Sequence, residues 1–426
     1  MEWIDNQQTA TIPQREQSST SKNQKEMLRS QRVEALDLQR GLIILLMAFS
    51  HCREYSGTNK YNNLIWYNSP AWYGTSWLDF FQQMLVSTVA AGGFFMMMGI
   101  GIYCLWHSRL REGWDPQQTR NYLMKRGLAL IIVQFTILAL FETLAVGQFY
   151  LYVGVLFGLG VCMILAAWCM YFIEFLRVSP WAKNWSVDYW IPLLFAALIV
   201  IISQLIIQHD QKMNLNPGFF ESILLLGGEY HFPQLDIDIN FTPLPWFPSV
   251  AFGLIVGKIF TNQEKNRLKW LRRVTFSFFL TWFILRTANI YGLFNFGDYK
   301  IPSGNEILNW QAYLSVSKFP PSLCYFLWSW AINLAGILIW FKLEKHFTSV
   351  LVLFKPLKVF GQSALFFFIG HWFVYLGLSL LLPGKLSSLP SLVVVWLAGL
   401  MILYPLCRGW YQFKSRQSKE SIWRMF

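Results

Sequence analysis

The apolar residues of this chain come in ten blocks set apart by charged or polar stretches, and that spacing decides what it can fold into. The blocks run Gly41–Phe49, Leu78–Trp106, Tyr122–Phe141, Tyr150–Phe175, Tyr189–Ile207, Leu244–Phe260, Leu271–Ile290, Leu323–Phe341, Val359–Leu382 and Leu389–Leu406. A hydrocarbon core takes about 20 apolar residues per crossing helix, so most blocks qualify alone. The first is short, but Leu36 and Leu38 extend it backwards. Backbone groups in lipid must be satisfied within the segment or in a closed barrel, and blocks of this length select helices. The expectation is an all-α polytopic membrane protein of about ten transmembrane helices. Composition agrees: 54% of residues are hydrophobic and 14% charged, against about 25% charged in ordinary soluble proteins. Six Cys in 426 residues exclude a disulfide scaffold. Residues 1–31, polar and without an apolar stretch that could serve as a signal peptide, are expected to form a disordered cytoplasmic tail. The membrane domain is expected over 32–412, and a second cytoplasmic tail over 413–426.

Charge tests the count, because Lys and Arg gather on the cytoplasmic side and each added span flips every later loop. With ten spans and the N-terminus inside, all of the 35 Lys and Arg fall inside except Arg53, Lys60, Lys212, Arg286, Lys300, Lys318 and Lys385. Both termini are therefore expected in the cytoplasm of an inner-membrane protein, and the formal charge of +12 reports orientation and gives no reason to expect nucleic acid. Two outer loops are long, 52–77 and 208–241, and loops of that length are commonly functional. Aromatic residues in the first and Ile223–Leu226 followed by Gly227 and Gly228 in the second suggest packed caps.

Few ionisable groups remain inside the blocks. At 100° per residue Asp37, Arg40, Ile44, Met47, His51 and Tyr55 share one stripe of the first helix, which so carries polar groups at both membrane faces. Such groups usually face the bundle interior or a water-filled path. A simple i, i+3 anchoring pair of Asp37 and Arg40, with His51 hydrated at the outer end, fits the spacing equally. His371 in the ninth block falls near mid-membrane, as a functional group or a satisfied core His. Arg286 and Glu142 are further candidates. Arg109, Arg111, Arg120, Lys125 and Arg126 could hold a phosphorylated ligand, although topology already accounts for them. The six His and six Cys show no zinc-like spacing, so no metal is expected. Gly92-Gly93 and Gly99-Ile-Gly101 suit close helix packing better than a phosphate loop. Pro243, Pro245 and Pro248 fit either a broken helix, as in transporters, or a helix start.

Taken in order, Arg32…Asp37-Leu-Gln-Arg40-Gly41…Met47…His51…Arg53, then Lys125-Arg126-Gly127-Leu128, Thr242-Pro-Leu-Pro-Trp246-Phe, Lys318-Phe-Pro-Pro-Ser322-Leu, Gly361-Gln-Ser-Ala-Leu-Phe-Phe-Phe-Ile-Gly-His371 and Tyr404-Pro-Leu-Cys-Arg408 resemble bacterial membrane proteins related to the heparan-alpha-glucosaminide N-acetyltransferase catalytic domain. The resemblance covers roughly residues 32 to 412. It implies transfer of an acyl group, expected to be acetyl, from cytosolic acetyl-CoA or another acyl-CoA to an amine or hydroxyl of an extracytoplasmic envelope saccharide. His51, Asp79 and His371 would be the catalytic candidates. Asp37, Arg40, Lys125 and Arg126 would organise the coenzyme end. Membrane lipid is the other implied partner, and a homodimer stays open.

The chain also departs from that pattern. In the glucosaminide acetyltransferase branch the position of His51 resembles an Asn, with a catalytic His in the first outer loop, whereas residues 54–78 here contain no His. Thr88 stands where many bacterial relatives resemble one another in carrying a second-span His. Direct transfer assisted by His51 is the version the resemblance then implies. A transporter using the same stripe, and a non-catalytic member of the fold, are the alternatives. Acyl transfer across the bilayer requires a cavity joining the Arg109–Arg126 side to His51, and a solid plug between them would count against it.

Overall fold

A computed structural model describes residues 34–52, 86, 88–178, 186–213, 218–261, 266–291, 293, 310–381, 389–418 and 421–424. The long helices are α1 (Glu34–Cys52), α2 (Thr88–Arg111), α3 (Pro116–Val146), α4 (Val155–Val178), α5 (Val187–Met213), α6 (Pro243–Thr261), α7 (Arg267–Ile290) and α8 (Leu323–His346). A short α9 (Lys355–Gln362) leads into α10 (Ala364–Leu381), and α11 (Leu389–Arg416) follows. Among the described residues nine helices are long and apolar enough to cross a bilayer, which makes this an all-α polytopic membrane protein. The helix outside that nine is α7, the seventh expected span, whose first turns carry Arg267, Lys269, Arg272 and Arg273. Its 24 residues reach about 36 Å. It packs on α8 and exposes Phe276, Leu280, Phe283 and Ile284, an apolar outer face that suits lipid.

The bundle is built around α2 and α6. The apolar stretch of α6 is 89% buried, against 22% in α3 and in α5, so α6 is central and those two face lipid. Association in lipid relies on close van der Waals contact, which small residues permit. At the crossing of α2 and α6, a Cβ on Gly99 would lie 3.0 Å from the α-carbon of Gly253, so neither position has room for a side chain. Gly92, Gly93 and Gly99 of the second block are thus packing residues, whereas Gly101 lines a cavity. Polar pairs lock α1 against α8: Gln39 Nε2 donates to Asn333 Oδ1 at 3.0 Å, and Trp340 Nε1 donates to Gln39 Oε1 at 3.0 Å. A buried ionic cluster ties α4, α5 and α6, with Lys258 Nζ 3.1 Å from Asp188 Oδ2 and Arg177 bonded to both Asp188 and Glu174.

The structure corrects several block boundaries. Tyr150–Val153, which the sequence places in the fourth block, belong to a strand, β1 (Phe149–Val153), and the helix starts only at Val155. The ninth block is broken at Ser363, where α9 ends and α10 begins. Pro243 and Pro245 begin α6, the helix-start alternative, and Pro248 lies inside the helix without ending it. The tail expected from 413 is helical to Arg416. Part of the second long loop folds as expected for a cap: β2 (Gly228–Phe232) pairs antiparallel with β3 (Leu235–Ile239), which pairs parallel with β1. The first long loop lies outside the described residues.

Candidate active site

The stripe on α1 lines two cavities, Arg40 in one and Met47 and His51 in the other. At its basic end Asp37, 4% exposed, takes Arg40 Nη1 at 3.0 Å on one oxygen and Gln362 Nε2 at 3.2 Å on the other. The anchoring pair inferred from spacing is therefore present, with Gln362 added. The break in the ninth block makes this possible. Gly361 packs directly on the backbone of Asp37, leaving no space for a Cβ, and the Gln362 carbonyl, released from helical bonding at the end of α9, accepts Lys414 Nζ at 2.8 Å. Ser363 Oγ donates to the Cys407 carbonyl at 2.9 Å, which holds the break against α11.

Arg40, Arg126 and Lys414 converge on the mouth of a cavity of about 360 Å³. Its shaft is apolar, walled by Met97, Met98 and Leu105 of α2, Leu123 and Leu130 of α3, and Leu159 and Met163 of α4. Arg40 rests against Gly101, whose missing side chain leaves space for the guanidinium. Lys125 points to the exposed face of α3, away from this mouth. Arg109 pairs with Glu112 at 2.9 Å and stacks on Trp114, so of the five basic residues in that segment only Arg126 lines the cavity.

A second cavity, of about 60 Å³, lies at the other end of α1. Met47, Ser50 and His51 line it, with Gln134, Glu142, Tyr152, Lys318 and Trp372. Phe94, Val155 and Phe368 line both cavities, so these three side chains stand between the large cavity and the small one. From Arg40 to His51 the climb along α1 is about 16 Å. A π-helical turn at Gln134–Leu138 shapes the small cavity, a distortion often found at functional sites. The turn brings Gln134, fully buried, against β1 and α4: its Nε2 donates to the Tyr152 carbonyl at 2.9 Å, and its Oε1 accepts Leu156 N–H at 3.2 Å.

His51 and His371, far apart in the chain, meet here with Nδ1 of His51 2.8 Å from Nε2 of His371. Trp372 covers His51, ring centroids 4.4 Å apart. Only one tautomer pair satisfies the contacts of two neutral rings. His371 Nδ1 lies 3.3 Å from the Phe367 carbonyl, so Nδ1 carries its proton and Nε2 accepts. His51 must then donate from Nδ1, which leaves the lone pair on its own Nε2. That is the form a general base needs.

Asp79 lies outside the described residues. Arg286 is fully buried on α7, where its Nε donates to the Tyr313 carbonyl at 2.9 Å, while Glu142 faces the small cavity. Sequence reasoning did not single out Gln362, Lys414 or Gln134. A mid-block Gln and Ser beside a run of Phe was the only available signal for the first of these. Outside the membrane, Asp238 of β3 accepts Tyr150 Oη at 3.1 Å, and burial pushes its carboxyl up to about 6. His231, exposed, is raised by its bond to Asp236.

The sequence model of the heparan-alpha-glucosaminide N-acetyltransferase catalytic family matches residues 32–296, more than half of the chain. No curated protein matches it.

Proposed function

The chain belongs to the heparan-alpha-glucosaminide N-acetyltransferase catalytic family, and from that premise we propose that it moves an acyl group from a coenzyme A thioester to an amine or hydroxyl of a saccharide on the far side of the membrane. The observation that supports this reading is a cationic, otherwise apolar cavity set apart from the His51 chamber only by three side chains that line both, Phe94, Val155 and Phe368. Arg40, Arg126 and Lys414 suit the phosphates of the donor, since charge-assisted bonds to phosphate are the strong ones. The shaft takes the pantetheine arm and excludes water from the thioester. A basic mouth would face the cytoplasm under the positive-inside rule, and the small chamber would then open to the envelope side.

Transfer balances with His51 alone as proton carrier. The acceptor hydroxyl or amine gives a proton to His51 Nε2 as its oxygen or nitrogen bonds to the acyl carbonyl carbon. The carbon–sulfur bond breaks, and the same proton passes to the departing thiolate. Through the 2.8 Å contact His371 holds the His51 ring and its tautomer, acting as a positioning residue. The test is release of coenzyme A thiol from acetyl-CoA by the purified protein with glucosamine as acceptor. His51→Ala is expected to lower turnover about 10²- to 10⁴-fold, the usual contribution of a general base. Undiminished turnover in a folded variant refutes the role of His51. Lack of any coenzyme A affinity refutes the reaction and leaves a transport path.

A further inference from the structure

Resting on the transfer reaction above, we propose that Phe94, Val155 and Phe368 form a gauge that limits the transferred acyl group to two or three carbons. The two cavities differ sharply in capacity. A water needs about 10–15 Å³ of this kind of space. On that scale the shaft, about 360 Å³, holds roughly 24–36 non-hydrogen atoms and the chamber, about 60 Å³, roughly 4–6. A pantetheine arm of about 18 such atoms fits the shaft with space left for water at the mouth. To react beside His51 the thioester carbonyl has to pass the three shared residues. Everything on the acyl side of the sulfur then lies in the chamber, together with the acceptor's attacking atom and the carbon that bears it. An acetyl group contributes about three atoms and the acceptor about two, which fills the space, and a propionyl group reaches its limit. Butyryl exceeds it.

The gauge is rigid because of what stands behind it. Phe368 is 5% exposed, with its ring centroid 5.5 Å from that of His371 and 6.4 Å from that of Trp372. It cannot swing aside without moving the side chains that place His51. Val155 opens α4 directly after β1, where Gln134 fixes the backbone on either side of it. Phe94 directly follows Gly93, where a Cβ would meet Asn333 Oδ1 at 2.6 Å, and sits on α2, one of the two helices the bundle is built around.

The experiment measures kcat/KM of the full-length protein for acetyl-, propionyl-, butyryl- and hexanoyl-CoA with glucosamine as acceptor. Acetyl and propionyl are expected to react comparably, and butyryl to fall about 10- to 200-fold, the usual effect of a methylene that a pocket cannot take. Phe94→Leu and Val155→Ala should raise the butyryl-to-acetyl ratio of kcat/KM about tenfold or more. Phe368→Ala should raise the ratio further, and if it fails to fold the two smaller changes carry the test. A flat length profile in the unmodified protein, or an unchanged ratio in the variants, overturns the gauge alone. Failure with every acyl length overturns the transfer reaction and the gauge together.

Discussion

Replacing His371 with Ala isolates what the histidine pair contributes. In the unmodified protein the only neutral arrangement that satisfies both contacts puts the His51 proton on Nδ1 and the lone pair on Nε2. Without His371 that proton is left in a buried pocket with no acceptor, at a cost of about 1–3 kcal/mol. The competing tautomer carries its proton on Nε2 and cannot act as a base. With RT near 0.6 kcal/mol, this cost lowers the competent population about 5- to 150-fold, and kcat should fall by the same factor. Any rotation of the freed ring adds to the loss. His371→Gln offers a carbonyl oxygen to the same proton and should recover most of the rate, which a merely space-filling role would not allow. The assay is thiol release from acetyl-CoA at saturating donor, with ¹⁵N NMR of histidine-labelled protein reporting the tautomer. A folded His371→Ala protein with unchanged kcat would refute the argument, as would a His371→Gln protein no better than Ala.

Other consequences can be checked separately. Lys414→Ala should raise the KM for acetyl-CoA about 10- to 150-fold, the value of a charge-assisted phosphate contact, with Lys414→Arg intermediate and the difference shrinking at high salt. Gly99→Val forces a branched side chain onto Val250 and Gly253 and should lower stability by about 3 kcal/mol or prevent assembly, seen as lost monodispersity in detergent. The cap should tighten as pH falls, for Asp238 through the window from about 6 to 3.8. The folded Asp238 carboxyl, at about 6 against an ordinary 3.8, holds its proton where the unfolded chain does not, so stability falls as pH rises through that window, by at most ~3 kcal/mol. His231, raised by Asp236, acts in the same direction: its contribution is full below the unfolded value and is lost as pH rises through the folded one. Hydrogen exchange of the β2–β3 amides, corrected for intrinsic rate, measures the slope, and Asp238→Asn should remove most of it.

Reading the chain as a string of apolar blocks located the spans because transfer into lipid is nearly additive along a segment. Where a block contained a second signal, that method blurred it. Phe149–Val153 is as apolar and aromatic as the start of a span, yet it pairs with β3. Nothing local distinguishes a short buried strand from a helix end. Likewise Ser363 breaks the ninth block because its hydroxyl reaches Cys407 on α11, a partner that no window around residue 363 contains. The stripe of Arg40, Met47 and His51 was legible from helical spacing, since Arg40 lines the larger cavity and Met47 and His51 the smaller. Lys125 and Arg126 are adjacent in sequence and so point in different directions on α3, and only packing shows which of them reaches the mouth.

A helical membrane protein, the basic side of its bundle and the polar stripe of α1 are all written in the order of residues along the chain. These follow from hydropathy, charge asymmetry and the 3.6-residue repeat, all properties of single segments. Packing across the bundle brings His51 to His371, 320 residues away, Gln362 to Asp37 across 325, and Lys414 to the mouth. Such contacts depend on which helix faces pack together, and packing in lipid is governed by shape and close approach, at Gly99 on Gly253 and Gly361 on Asp37, which hydropathy does not encode.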